Sequence, residues 1–137
     1  MWTVESEIQE ALTKLNLSED ELRKCSSEEA SFIQKNAMEL YVEGNPRSWW
    51  MGVKKPYQAY DYDFPSDYIT LHMPENENKV WWIPETEEEN LCVYDVKPDV
   101  ISRIMELVAQ FEYYVVGRNF NWLIIETDHG QLWVINE

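Results

Sequence analysis

Cysteine, glycine, histidine and basic side chains are all scarce in this chain of 137 residues, and each scarcity excludes something. Two cysteines, Cys25 and Cys92, are too few for the disulfide framework of a small secreted domain. They read as reduced thiols, which leads us to expect a cytoplasmic protein. Four glycines, Gly44, Gly52, Gly117 and Gly130, are scattered and build neither a phosphate loop nor a dinucleotide fingerprint. Two histidines, His72 and His129, have no Ser or Cys at a motif spacing, so no nucleophile–histidine pair is visible. His72 with Glu75 supplies only two metal ligands, where a zinc site needs three. No cofactor, metal or catalytic residue is therefore expected. Eleven Lys and Arg against 26 Asp and Glu give a net charge of −15. That balance disfavours phosphate-mediated binding to nucleic acid and binding to an anionic membrane surface. The start, MWTVESEIQE, has no basic region before an apolar core, so no signal peptide is expected. No apolar run approaches the ~18 residues of a membrane span.

What is abundant is aromatic. Seven Trp and eight Tyr exceed what one dry core accommodates, so some rings are expected at a surface with their polar atoms in water or on a partner. The length fits one domain over residues 1–137 that buries roughly two thirds of its unfolded surface.

Apolar spacing predicts a helix through Val4, Ile8, Leu12 and Leu15, capped by Thr3 and ended by Asn16. Ser18 with Glu21 suggests a short helical turn to about Lys24. Ser26 or Ser27, the former with Glu29 at the capping-box spacing, opens a longer helix through Ile33, Ala37 and Tyr41, stopped by Gly44, Asn45 and Pro46. Residues 68–73 alternate and read as a strand, joined by a loop to a Trp-rich strand at 80–84. Further strands are expected at 91–96, 113–116, 122–126 and 131–135, with a helix from Pro98 between the first two. Asp128-His129-Gly130 is a hairpin turn. The order predicts an α+β fold: N-terminal helices, then a mostly antiparallel sheet with one further helix packed on it. Ile8, Leu12, Ile33, Ile104, Val108, Leu123 and Ile125 are the expected core.

Charge is unevenly spread. Residues 57–96 carry ten acids and one base. There the tyrosines and aspartates interleave. Rings give rigid contact area and carboxylates accept from Arg and Lys, which suits a cationic protein partner. The candidate interface is Tyr60, Asp61, Tyr62, Asp63 and Asp67 at the centre, with Glu85, Glu87, Glu88 and Glu89 as an outer steering patch. The alternative is that these rings pack inward and the acids form a solvated rim.

The run Phe111-Glu112-Tyr113-Tyr114-Val115-Val116, then Phe120-Asn121-Trp122-Leu123-Ile124-Ile125-Glu126-Thr127-Asp128-His129-Gly130, resembles a signature of small uncharacterised bacterial proteins. In those, an EYY strand leads into a WL strand and a final hairpin. Val80-Trp81-Trp82-Ile83-Pro84-Glu85 and Val93-Tyr94-Asp95 fit the same pattern, and the resemblance spans about residues 65–135. It implies a small cytosolic α+β protein similar to the immunity proteins of polymorphic, contact-dependent toxin systems. The SUKH immunity superfamily differs, since its Gly-rich central motif is missing. The resemblance carries no catalytic residue. It implies a protein-binding inhibitor whose partner is a basic toxin domain, such as a nuclease. A general protein-interaction domain is the alternative. Nothing in the sequence indicates oligomeric state.

Overall fold

Two capping boxes set the N-terminal helices. The Thr3 side chain accepts from Ser6 N–H (3.0 Å) while Ser6 reaches back to Thr3 N–H, and helix α1 runs Val4–Leu15. Asn16 ends it in the left-handed region at φ 54°, where asparagine is tolerated. Ser26 and Glu29 make the same reciprocal pair and open α2, Ser27–Tyr41. The computed structural model describes residues 3–44, 46, 48–74, 77–85, 92–108 and 110–136.

Between the two helices lies a correction. Glu21 does reach back to Ser18 N–H (3.3 Å), but only one turn forms. The chain then extends as strand β1, Leu22–Lys24, which pairs antiparallel with β4, Tyr94–Val96. The remaining strands are β2 (Gln58–Asp61), β3 (Val80–Pro84), β5 (Tyr113–Val116), β6 (Trp122–Glu126) and β7 (Gln131–Asn136). Helix α3, Pro98–Met105, follows β4 and begins on Pro98, whose missing N–H costs nothing in a first turn. Among the described residues seven strands join one antiparallel sheet in the order β1-β4-β3-β5-β6-β7-β2. The fold is α+β, as expected.

The second correction concerns residues 68–73, which are not a strand. Pro65–His72 is a 3-10 helix, with Ile69 and Met73 buried and Leu71 72% exposed. The expected hairpin with β3 is therefore absent; β3 pairs with β4 and β5. The strand Gln58–Asp61 takes its place as the sheet's last member, paired with β7.

Both faces of the sheet are covered. Along β5 and β6, Tyr113, Val115, Trp122 and Ile124 join a core with Ile8 and Ala11 of α1, Ile101 and Ile104 of α3, and Ile69. Their neighbours Tyr114, Val116, Leu123 and Ile125 join a second core with Ala30, Ile33, Ala37 and Tyr41 of α2. Burial on both sides explains why the central strands read as continuous apolar runs rather than alternating ones. Of the expected core, Ile8, Ile33, Ile104, Leu123 and Ile125 are buried, while Leu12 and Val108 are partly buried. Cys25 and Cys92 are buried free thiols. Burial pushes the Cys25 thiol up to about 11 and raises Cys92 as well, so both stay protonated and unreactive near neutral pH. Among the described residues no helix is long and apolar enough to cross a membrane.

Candidate functional site

Strand register places the acidic residues at one end of the sheet. Pro84 faces Tyr113, Tyr113 faces Glu126, and Glu126 faces Leu132. Asp61 faces Gln131. Glu85, Glu112, the 127–130 turn and the residues after Asp61 therefore gather at that end. The turn itself depends on Gly130, which adopts φ 77°. Its carbonyl accepts from Tyr62 N–H (3.2 Å), which carries the β2 chain past the turn.

Beyond β2, Pro65 starts the 3-10 helix and Asp67 N–H donates to the Phe64 carbonyl (3.1 Å). Because Ile69 and Met73 turn inward, Phe64, Tyr68 and Leu71 turn outward, 70%, 44% and 72% exposed. Asp61, Tyr62, Asp63, Asp67, Phe64, Tyr68, His129 and Gly130 line a depression of about 480 Å³. Four of the five central residues expected from the sequence thus converge. Tyr62 stacks on Tyr68 with centroids 4.1 Å apart and planes 9° from parallel, and its hydroxyl shares a 2.7 Å hydrogen bond with His72 Nε2. Burial lowers the His72 pKa, so the ring is neutral near pH 7. Tyr60 is the exception: it packs against the His72 ring at 4.2 Å and does not line the depression.

The outer patch needs correction at Glu85. This residue is half-buried, and its Oε1 accepts from Ser48 Oγ (2.7 Å). Glu87, Glu88 and Glu89 lie outside the described residues. Of Trp49-Trp50 and Trp81-Trp82, one member each is interior: Trp82 is wholly buried and buried Trp49 stacks on Tyr114 at 4.3 Å, while Trp50 and Trp81 are half-buried. Trp50 lies edge-on to His129 and Trp133.

Sequence reasoning missed Glu112. Its Oε2 accepts from Trp50 Nε1 (3.2 Å), and its carboxyl lies beside that of Glu85. Burial first, then the neighbouring Glu85 carboxylate, pushes its pKa up to about 8. The buried Oε2 of Glu85 has no hydrogen-bond partner among the described residues, and the proton held on neighbouring Glu112 places a potential donor beside it. No local spacing could reveal a pair drawn from the residue after β3 and the residue before β5. The folded chain holds a proton here that the unfolded chain releases above pH 4.5. The stabilising contribution is therefore complete below pH 4.5, declines as pH rises, and is gone above about 8. After discounting for solvent screening of this part-exposed pair, the decline is about 1–2 kcal/mol. Glu112→Gln should flatten that slope in urea titrations run across this range. Glu126, also raised by burial, retains its own part of it. An unchanged slope in Glu112→Gln would refute the shared proton.

Electrostatically the two ends of the sheet differ. At the far end, Lys79 and Lys97 pair with Asp20 (3.6 and 3.4 Å), Arg103 with Glu21 (3.6 Å), and Arg23 and Arg118 with Asp95 (3.4 and 2.6 Å). Among the described residues, no Lys or Arg pairs with Asp61, Asp63, Asp67, Glu85 or Glu112. No described group of three or more His, Cys, Asp and Glu side chains is placed to hold a metal ion. What the near end offers is uncompensated negative charge around exposed rings.

No curated protein and no solved structure matches the chain. A family model does match it, over residues 1–137, and the chain belongs to that family, a family of unknown function (DUF6756).

Proposed function

We propose that this protein is a protein-binding inhibitor, an immunity protein that neutralises a basic toxin domain such as a nuclease. It covers the toxin's cationic active site with the acidic, aromatic end of its sheet. One observation carries the reading: Asp61, Asp63 and Asp67 have no cationic partner among the described residues and surround exposed Phe64 and Tyr68. Unpaired carboxylates accept from Arg and Lys, and exposed rings supply the rigid anchors that dominate interface energies. The resemblance of the central strands to small uncharacterised bacterial proteins, for which an immunity role is the implied one, is in keeping with this reading. No catalytic step is assigned to the chain, which on this reading works in the cytoplasm, away from membranes and nucleic acid, with no cofactor.

The test is kinetic binding to the product of the gene immediately upstream. Replacing Asp61, Asp63 and Asp67 together by Asn should raise the dissociation rate and cost about 2–5 kcal/mol. Replacing Glu87, Glu88 and Glu89 by Ala should mainly slow association, an effect that fades at high salt as the Debye length shortens to ~3 Å. His129 lines the depression and His72 holds the Tyr62 hydroxyl, so His72→Ala and His129→Ala should weaken neutralisation only as far as they weaken binding. Loss of function in either histidine variant, with fold and binding preserved, would favour an enzyme. If both acidic variants bind as wild type at low salt, the acids are a solvated rim and the proposal fails.

A further inference from the structure

We infer that an extended, basic segment of the partner adds to the sheet as an eighth strand, hydrogen-bonded to the free edge of β2. The inference rests on the proposed basic partner and specifies how that partner is held.

The two edges of the sheet are managed differently. At the β1 edge, Arg23 and Lys24 are engaged by Glu29 of α2 and Glu5 of α1, whose side chains reach to the edge strand. That edge is short, straddled and basic. At the other edge, Gln58, Ala59 and Asp61 of β2 are exposed, and Tyr60 is half-buried. The strand contains no proline and no lysine, two of the devices that block edge pairing.

The direction of its backbone groups follows from the neighbouring ladder. Thr127 N–H donates to the Gln131 carbonyl (2.9 Å), so Gln131 turns its main-chain groups towards β6. Tyr62 N–H donates to the Gly130 carbonyl (3.2 Å), so residue 130 turns towards β2. Alternation along an antiparallel ladder then makes Tyr60↔Leu132 and Gln58↔Val134 the bonded pairs. Ala59 and Asp61, opposite Trp133 and Gln131, therefore point their N–H and C=O groups away from the sheet. Among the described residues nothing outside the sheet bonds these groups, which leaves them in the geometry that an added strand satisfies.

Charge selects the occupant. The open edge runs into Asp61, Asp63 and Asp67, with Tyr57 stacked on Trp133 at the strand's other end. A second copy of this chain would bring another net −15 against these carboxylates. An extended segment bearing Arg or Lys instead places cations beside them while its backbone completes the ladder.

The probe is a short peptide of alternating arginine and valine, compared with the same peptide methylated on its backbone amides, which is equal in charge but cannot donate. Titration calorimetry at low salt is expected to show the methylated peptide binding about tenfold or more weakly, the effect of losing several backbone hydrogen bonds. Ala59→Pro removes an outward N–H but no bond within the sheet, so it should fold and lose a similar factor. Ala59→Thr keeps the donor and should bind as wild type. Should Ala59→Pro fail to fold, amide exchange on the wild type decides: Ala59 and Asp61 must gain protection in the complex. Equal binding of both peptides, with Ala59 and Asp61 unprotected, overturns edge addition and leaves the acidic-surface reading standing. If neither peptide binds, edge addition is overturned; if replacing Asp61, Asp63 and Asp67 also leaves the upstream gene product bound as before, the acidic-surface reading fails with it. A concentration-dependent dimer that Ala59→Pro dissolves would assign the edge to a second copy and overturn the proposal.

Discussion

Leu123→Ala is expected to lower the unfolding free energy by about 2–5 kcal/mol. Leu123 is wholly buried on β6, paired with Val116 on one side and Ile135 on the other. It belongs to the core that α2 closes with Ala30, Ile33, Ala37 and Tyr41. A residue in a central strand of a seven-stranded sheet cannot be approached by its neighbours without breaking the ladder, so the cavity left by truncation stays open. The melting temperature should fall by on the order of ten degrees. Leu71→Ala is the internal control. Leu71 is 72% exposed on the 3-10 helix, and its truncation should change stability by less than about 0.5 kcal/mol. Urea unfolding of the two variants, with m-values compared, checks both. Equal costs would mean that 68–73 is a strand after all, with Leu71 facing inward.

Asp95→Ala should cost about 3 kcal/mol, through charge rather than volume. Asp95 is buried on β4, and its two oxygens accept from Arg118 (2.6 Å) and Arg23 (3.4 Å). Arg23 keeps a second partner, the bidentate Glu29 at 3.1 Å for both contacts. Arg118 does not. It lies 3.9 Å over the Trp81 ring, and among the described residues that cation–π contact is what it retains without Asp95. The guanidinium is about one-third exposed, so part of the cost is relieved by water. A double-mutant cycle over Asp95→Ala and Arg118→Ala should show coupling above about 0.5 kcal/mol. Strict additivity would show that the pair contributes nothing and that Asp95 matters only for packing.

Several parts of the molecule were legible because their causes are local. Thr3 with Ser6 and Ser26 with Glu29 satisfy helix-terminal N–H groups three residues away, so sequence neighbours suffice. Gly130 supplies a positive φ wherever a tight hairpin needs one. The runs at 80–84, 113–116 and 122–126 are apolar enough that only buried strands fit them.

Elsewhere the local signal was satisfied and still did not decide. The Ser18–Glu21 link forms, yet Leu22 leaves the turn because β4 offers a ladder, and Lys97 N–H bonds the Glu21 carbonyl (3.0 Å). At 68–73, a strand and a tight helix both keep Ile69 and Met73 inside and differ only at Leu71. Packing against α3 and β7 settles it, since a 3-10 segment there buries Ile69 completely.

The same division holds for the site. The Tyr–Asp alternation and the excess of acids in 57–96 belong to the sequence alone. That Asp61, Tyr62, Asp63 and Asp67 share one depression with His129, that Glu85 meets Glu112, and that every described Lys and Arg ion pair forms away from the acids of that depression, belong to the tertiary structure. The physical reason is range. Composition and capping act over a few residues, whereas pairing of charges and closure of a sheet edge depend on which distant strands become neighbours, and the cooperative burial of both faces chooses those.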